Sequence, residues 1–155
     1  MSAAVRFANT AVPSPLEGVS ASAWRAFITA LAVQPTGAVS RGGGLGAYNI
    51  RPRRLVEMGR ATNFRRIGNL QVCDFIAPWT QKRFLTDRVA QDAVVVKSLR
   101  AYYSALRDGA IKKPDGVSIS GALALLHCGG RGAIENWPDL FDETKALHEA
   151  TKGIF

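Results

Sequence analysis

Residues 118–127 read Ser118-Ile119-Ser120-Gly121-Ala122-Leu123-Ala124-Leu125-Leu126-His127. A serine at 118 or 120 can cap a helix by accepting a hydrogen bond from a backbone N–H of the first turn. The residues from Gly121 to His127 then present apolar surface around almost the whole circumference. A helix apolar on every side has to be buried, so this segment is expected to be the central element of the fold.

Outward from it, the other segments read as helices and turns. Downstream, Gly129, Gly130 and Gly132 interrupt the apolar run, and Pro138 and Asp139 open a last helix running to about Lys152. Upstream, the longest helical pattern covers about Thr80 to Asp108 and is re-capped near Thr86 and Asp87. Its second half repeats Val89, Ala93, Val96, Leu99, Tyr103 and Leu106, and Gly109 is a natural C-cap. Lys112 to Gly116 reads as a turn. Nearer the start, Ser20 or Ser22 caps a helix whose Trp24, Phe27, Ile28 and Leu31 recur at i, i+3, i+4 and i+7, and Pro35 ends it. Thr36 to Gly46 is a loop holding five glycines, which allow unusual backbone angles or close approach to a ligand. Pro52 suits the first position of a short helix that stops at Gly59. Ala61 to Pro78 reads as irregular, and residues 1–18, with Pro13 and Pro15, as an extended arm. No period-two alternation lasts beyond four or five residues. The expected fold is all-α, with one helical domain over residues 19–155 behind the arm.

Composition sets the outer limits. A chain of 155 residues with 47% hydrophobic and 21% charged content can build an ordinary core. No apolar run reaches the ~18 to 20 residues that cross a bilayer, so no membrane span is expected. Residues 1–10 lack the apolar stretch of a signal peptide. Cys73 and Cys128 lack metal-site spacing, so no metal or cofactor is expected, and a disulfide between them stays open. The net charge is +8 and the sequence pI about 10.1, which suggests an anionic partner. The charge is uneven. Residues 41–66 carry Arg41, Arg51, Arg53, Arg54, Arg60, Arg65 and Arg66 against Glu57 alone, a net of +6. Arginine suits bidentate contact with carboxylate or phosphate. Residues 135–149 reverse the sign, with Glu135, Asp139, Asp142, Glu143 and Glu149 against Lys145. These seven arginines are the expected interaction face, pairing with solvent, with the acidic segment of this or a neighbouring chain, or with an anionic polymer. Aromatic residues are sparse among them, Tyr48 and Phe64 excepted, so nucleic acid is the lesser expectation. Trp24, Trp79 and Trp137 read as core or interface anchors.

Two glycine-rich motifs stand in a telling order. Gly44-Leu45-Gly46-Ala47-Tyr48-Asn49 leads from a loop towards a helix, and Leu125-Leu126-His127-Cys128-Gly129-Gly130-Arg131-Gly132-Ala133-Ile134 closes the apolar helix. Over about Trp24 to Ile134 the chain resembles the lysozyme-like fold of lytic transglycosylases and phage tail-associated lysozymes. In that family a helix ends in Glu-Ser-Gly-Gly, a glycine-rich loop follows, and an apolar helix comes later. The resemblance implies a sugar-binding groove with Thr36, Gly46, Tyr48, Asn49 and His127 as lining candidates. It also implies a shielded carboxylic acid that protonates the glycosidic oxygen. Here the chain departs from the family. The acid's position holds Pro35, and no carboxylate occurs from Leu31 to Val39. The nearest acids are Glu17, in the arm, and Glu57, whose i, i+4 spacing from Arg53 suggests an ion pair. Asn49 is one methylene shorter than the family's glutamine.

The resemblance and its missing acid imply a catalytically degenerate, lysozyme-like structural component of a phage or phage-like tail or injection apparatus. Its location would be the virion, and its partners other tail proteins or copies of itself. Two alternatives stand beside it. One is an active peptidoglycan-degrading lysozyme or lytic transglycosylase that has recruited Glu57 or Glu17. The other is a non-catalytic module binding peptidoglycan or nucleic acid.

Overall fold

The computed structural model describes residues 13–155, so the arm's first twelve positions lie outside the described residues. Six helices and one hairpin follow in order: α1 (Ala21–Leu31), α2 (Pro52–Glu57), β1 (Ala61–Ile67), β2 (Leu70–Phe75), α3 (Gln81–Leu85), α4 (Arg88–Asp108), α5 (Ile119–Glu135) and α6 (Asp142–Thr151). The hairpin corrects the all-α expectation. β1 and β2 pair antiparallel, from Ala61 opposite Phe75 to Ile67 opposite Leu70, across the stretch that reads as irregular. The chain is mixed, about half helical with a small two-stranded sheet.

The contacts divide the chain into two compact units. One comprises the residues up to Leu31 together with Leu99–Phe155, and the other Ala32–Ser98. In the first unit, α5 is buried without a break from Ser120 to His127, as its apolar circumference requires. Ser118 caps it by accepting from the Gly121 N–H at 3.1 Å. Burying leucines such as Leu123, Leu125 and Leu126 contributes roughly 1.5 to 3 kcal/mol each. The helical geometry breaks at Gly130, whose φ of 64° and ψ of −158° are open to glycine alone, and resumes beyond it to Glu135.

α1 buries the expected stripe of Trp24, Phe27, Ile28 and Leu31, and Ser20 caps it at the Ala23 N–H. Phe27 meets Phe155 edge-on at 5.2 Å. Ser120 donates to the Thr151 carbonyl at 2.7 Å and its backbone N–H donates to Phe155, so buried polar groups tie the C-terminal residues to α5. α6 packs on α5 through a close contact that requires glycine: a Cβ on Gly121 would lie 2.9 Å from His148 Nε2. His148 is buried, 4.7 Å from the Trp137 ring.

Burial pushes the His148 imidazole below its ordinary range, so it folds neutral. The unfolded chain binds a proton near pH 6.5 while the folded chain resists it, so this contribution is intact above about pH 6.5 and is lost as pH falls. Thermal melts between about pH 7.5 and 5 are therefore expected to show a steeper loss of stability for the wild type than for His148→Gln. Parallel profiles for the two proteins would refute the assignment.

In the second unit, α2 starts at Pro52 and ends before Gly59, as expected. α3 is capped by Thr80, which accepts from the Arg83 N–H, and α4 begins after Asp87, which accepts from the Ala90 N–H. The buried face of α4 differs from the apolar repeat. Val89 is 58% exposed, whereas Ala90, Gln91, Asp92, Val94, Val95 and Ser98 are buried. Polar side chains occupy that face, and they organise the glycine loop.

Candidate functional site

The loop from Gln34 to Ile50 closes on itself before it contacts anything else. Leu45 forms isolated bridges with both Val39 and Ile50. Ser40 holds the Gly44 N–H at 2.9 Å, and the Gln34 amide donates to the Gly46 carbonyl at 2.8 Å. Gln91, fully buried on α4, fixes the turn. Its Oε1 accepts from the Ala47 N–H at 2.9 Å, and its Nε2 donates to the Thr36 and Phe84 carbonyls, each at 2.9 Å. Gly46 sits at φ 74°, and a Cβ there would lie 2.3 Å from Gln91 Oε1, so both the backbone angle and the approach demand glycine.

Tyr48 follows in the same turn and is buried. Its hydroxyl donates to Asp92 Oδ1 at 2.6 Å, and Arg88 Nε donates to the same oxygen at 3.2 Å. The Arg88 guanidinium also lies 4.9 Å from the centre of the Tyr48 ring. Burial, and then the hydrogen bond to Asp92, push the Tyr48 phenol well above its ordinary value, so it stays neutral. Asp92 is the one buried carboxylate among the described residues. Tyr48 and Arg88 both direct donors at it, which leaves it little opportunity to lend a proton to a substrate.

The sequence-level candidates fall in both units. Thr36, Gly46, Tyr48 and Asn49 belong to the Ala32–Ser98 unit, where Gln91 joins three of these positions through the Thr36 carbonyl, the Gly46 approach and the turn that carries Tyr48. Tyr48 and Gly46 are buried and Thr36 and Asn49 half-buried, with Asn49 at φ 51°. The turn is thus a packed structural knot. His127 belongs to the other unit and is buried within α5. His127 lies three residues before the non-helical Gly130, in the last turn of the apolar part of α5, where the sequence pattern puts it.

Pro35 is exposed and opens a turn, its carbonyl accepting from the Ala38 N–H at 3.0 Å. The side chain of Glu57 is 45% exposed and pairs with Arg54 at 2.5 Å, one residue along from the expected Arg53. The side chain of Glu17 is 88% exposed and pairs with Arg107 at 3.3 Å. Neither Cys73 nor Cys128 forms a disulfide, and the Cys128 sulfur lies 3.1 Å from the Thr144 hydroxyl. Burial, and then the Asp74 charge, push the Cys73 thiol up.

The arginine face has an aromatic centre that the linear sequence hides. Arg53 lies 5.1 Å and Arg66 5.8 Å from the centre of the Phe64 ring, and the Arg53 contact joins α2 to β1. Arg65 is on the hairpin too, bridging to Asp74 at 3.2 Å. The Asn63 amide and then Arg65 hold the Asp74 carboxyl below the usual carboxylate range. Arg41, Arg53, Arg65 and Arg66 are exposed, and Arg51, Arg54 and Arg60 half-buried. Among the described residues no group of His, Cys, Asp and Glu is placed to hold a metal ion, and no helix is long and apolar enough to cross a membrane.

The Gln91 knot and the Tyr48–Asp92–Arg88 cluster have one sequence signal between them, the i, i+4 spacing of Arg88 and Asp92. Gln91 has none, since its partners are backbone groups, two of them distant in the chain. No family model, curated protein or solved structure matches the chain.

Proposed function

We propose that the chain is a catalytically inert relative of the lysozyme-like proteins, acting as a structural component of a phage or phage-like tail or injection apparatus. The placing in such an apparatus follows from the resemblance of the two glycine motifs. The absence of catalysis has its support in the geometry of the carboxylates. A glycosidase acid needs a carboxyl shielded from water, so that it holds its proton near neutral pH, and within hydrogen-bond reach of the glycosidic oxygen. Glu17 and Glu57 are instead exposed, and each faces an arginine. Asp92 is shielded, but Tyr48 and Arg88 occupy it.

The observation that carries the reading is the exposed, arginine-paired state of the two acids nearest to the Pro35 position. It is tested by incubating the purified protein with peptidoglycan, which should yield no soluble muropeptides. Cleavage that disappears in Glu57→Gln or Glu17→Gln would replace this reading with an active lysozyme or transglycosylase.

A further inference from the structure

We infer that the Arg53–Phe64–Arg66 face of one copy receives the Phe141 knob of a second copy, so that the chain associates head to tail. The inference deepens the structural role proposed above and rests on that reading.

The receiving face is short of anions. Two guanidiniums lie over the single Phe64 ring, and among the described residues neither Arg53 nor Arg66 has a carboxylate partner. The nearby acids are already engaged, Glu57 by Arg54 and Asp74 by Arg65. Two cations gathered on one half-buried ring repel each other unless an anion from outside lies between them. The same hairpin ends in a pair of exposed apolar residues, Ile67 at 63% and Leu70 at 38%.

The knob shows the complementary features. Phe141 is 86% exposed, the most exposed large hydrophobic residue among the described ones. It occupies the N-cap position of α6, where it makes no capping hydrogen bond and where Ser, Thr, Asp or Asn would stabilise the helix. Nothing local explains a phenylalanine there. Glu135, Asp139 and Asp142 surround it in sequence, all exposed and, among the described residues, without a cationic partner. In the complex, the Phe141 ring would pack against Phe64 and the guanidinium planes while Asp139 and Asp142 pair with Arg53 and Arg66. An anionic polymer would supply charge to the arginines but would leave Phe141 unexplained. A second copy satisfies both surfaces at once. Since the two patches differ, each copy still offers a free knob and a free face, so association continues into a ring or an open chain.

The test is sedimentation velocity of the full chain at about 100 µM, in about 0.05 M and about 1 M salt, where the screening lengths differ severalfold. The wild type should exceed the mass of one chain at low salt and return to it at high salt. Phe141→Ser, the pair Arg53→Glu with Arg66→Glu, and the pair Asp139→Arg with Asp142→Arg should each weaken association at least roughly tenfold, with unchanged circular dichroism. Mixing the two charge-reversed proteins should restore assembly, because each face then meets a knob of opposite sign. A wild type that stays monomeric at low salt would overturn the inference, whether or not it binds single-stranded DNA. So would variants that associate like the wild type, or a mixture that stays monomeric. A monomer inert towards peptidoglycan removes this inference alone, whereas muropeptide release removes the proposed function and leaves the sedimentation result standing.

Discussion

Gln91→Ala is expected to lower stability by about 3 to 5 kcal/mol, the largest loss from any single substitution in the Ala32–Ser98 unit. The side chain is fully buried and satisfies three backbone groups, the Ala47 N–H and the Thr36 and Phe84 carbonyls. Removing it orphans the Ala47 N–H and the Thr36 carbonyl and leaves the Phe84 carbonyl only the Asp87 N–H at 3.2 Å. A buried polar group left without a partner costs about 1 to 3 kcal/mol, and water entering the vacated space recovers part of the total. Urea unfolding followed by tryptophan fluorescence measures the change. A loss below about 1 kcal/mol would mean that Gln34 and Ser40 hold the glycine loop without help from α4.

Asp92→Ala is expected to cost about 3 kcal/mol, the lower end of the range for breaking a buried ion pair. The lower end applies because the Arg88 side chain keeps 21% of its surface exposed and can rehydrate in part. The substitution strands the Tyr48 hydroxyl and the Arg88 guanidinium together. Replacing both charges with apolar residues, Arg88→Met with Asp92→Leu, should recover more than half of the loss, because the uncompensated charge goes with its partner. If the double variant is as unstable as Asp92→Ala, then the hydrogen bond of Tyr48 to Asp92, and not the pairing of charges, carries the effect.

Both predictions fall on residues that a search for apolar periodicity passes over. The stripe of α1 and the continuous apolar run of α5 were legible because their residues are buried for the same reason that makes them hydrophobic. On α4 that logic fails. The Val89, Ala93, Val96 repeat suggests one face, but the buried face carries Ser98 and also Gln91 and Asp92, whose burial depends on partners elsewhere in the chain. The hairpin was hidden for a different reason. Six of the seven residues of β1 after and including Thr62 are exposed or half-buried on both faces, so no alternation of polar and apolar residues forms. The bulge between Thr62 and Arg65, with Asn63 at φ 58°, breaks what alternation remains. The turn is Gly68-Asn69, with Gly68 at φ 61°.

The candidate site was legible to a similar, partial degree. The glycine motif 44–49 does mark a tightly specified turn, since Gly46 admits no side chain beside Gln91. The sequence could not show that Tyr48 would be buried within that turn, because its partners Arg88 and Asp92 lie forty or more positions away. Spacing placed an ion pair on Glu57, and the structure assigns it to Arg54 at i, i+3. The aromatic centre of the arginine face needed the fold of the hairpin against α2, which brings Phe64 to Arg53.

Mass spectrometry of the soluble fraction released from purified peptidoglycan by the full chain tests the absence of catalysis most directly. The expected result is no muropeptide above the buffer blank, for the wild type and for Glu17→Gln, Glu57→Gln and Asp92→Asn alike. Release of reducing or anhydro muropeptides by the wild type, abolished by one of these three substitutions, would contradict it and name the acid.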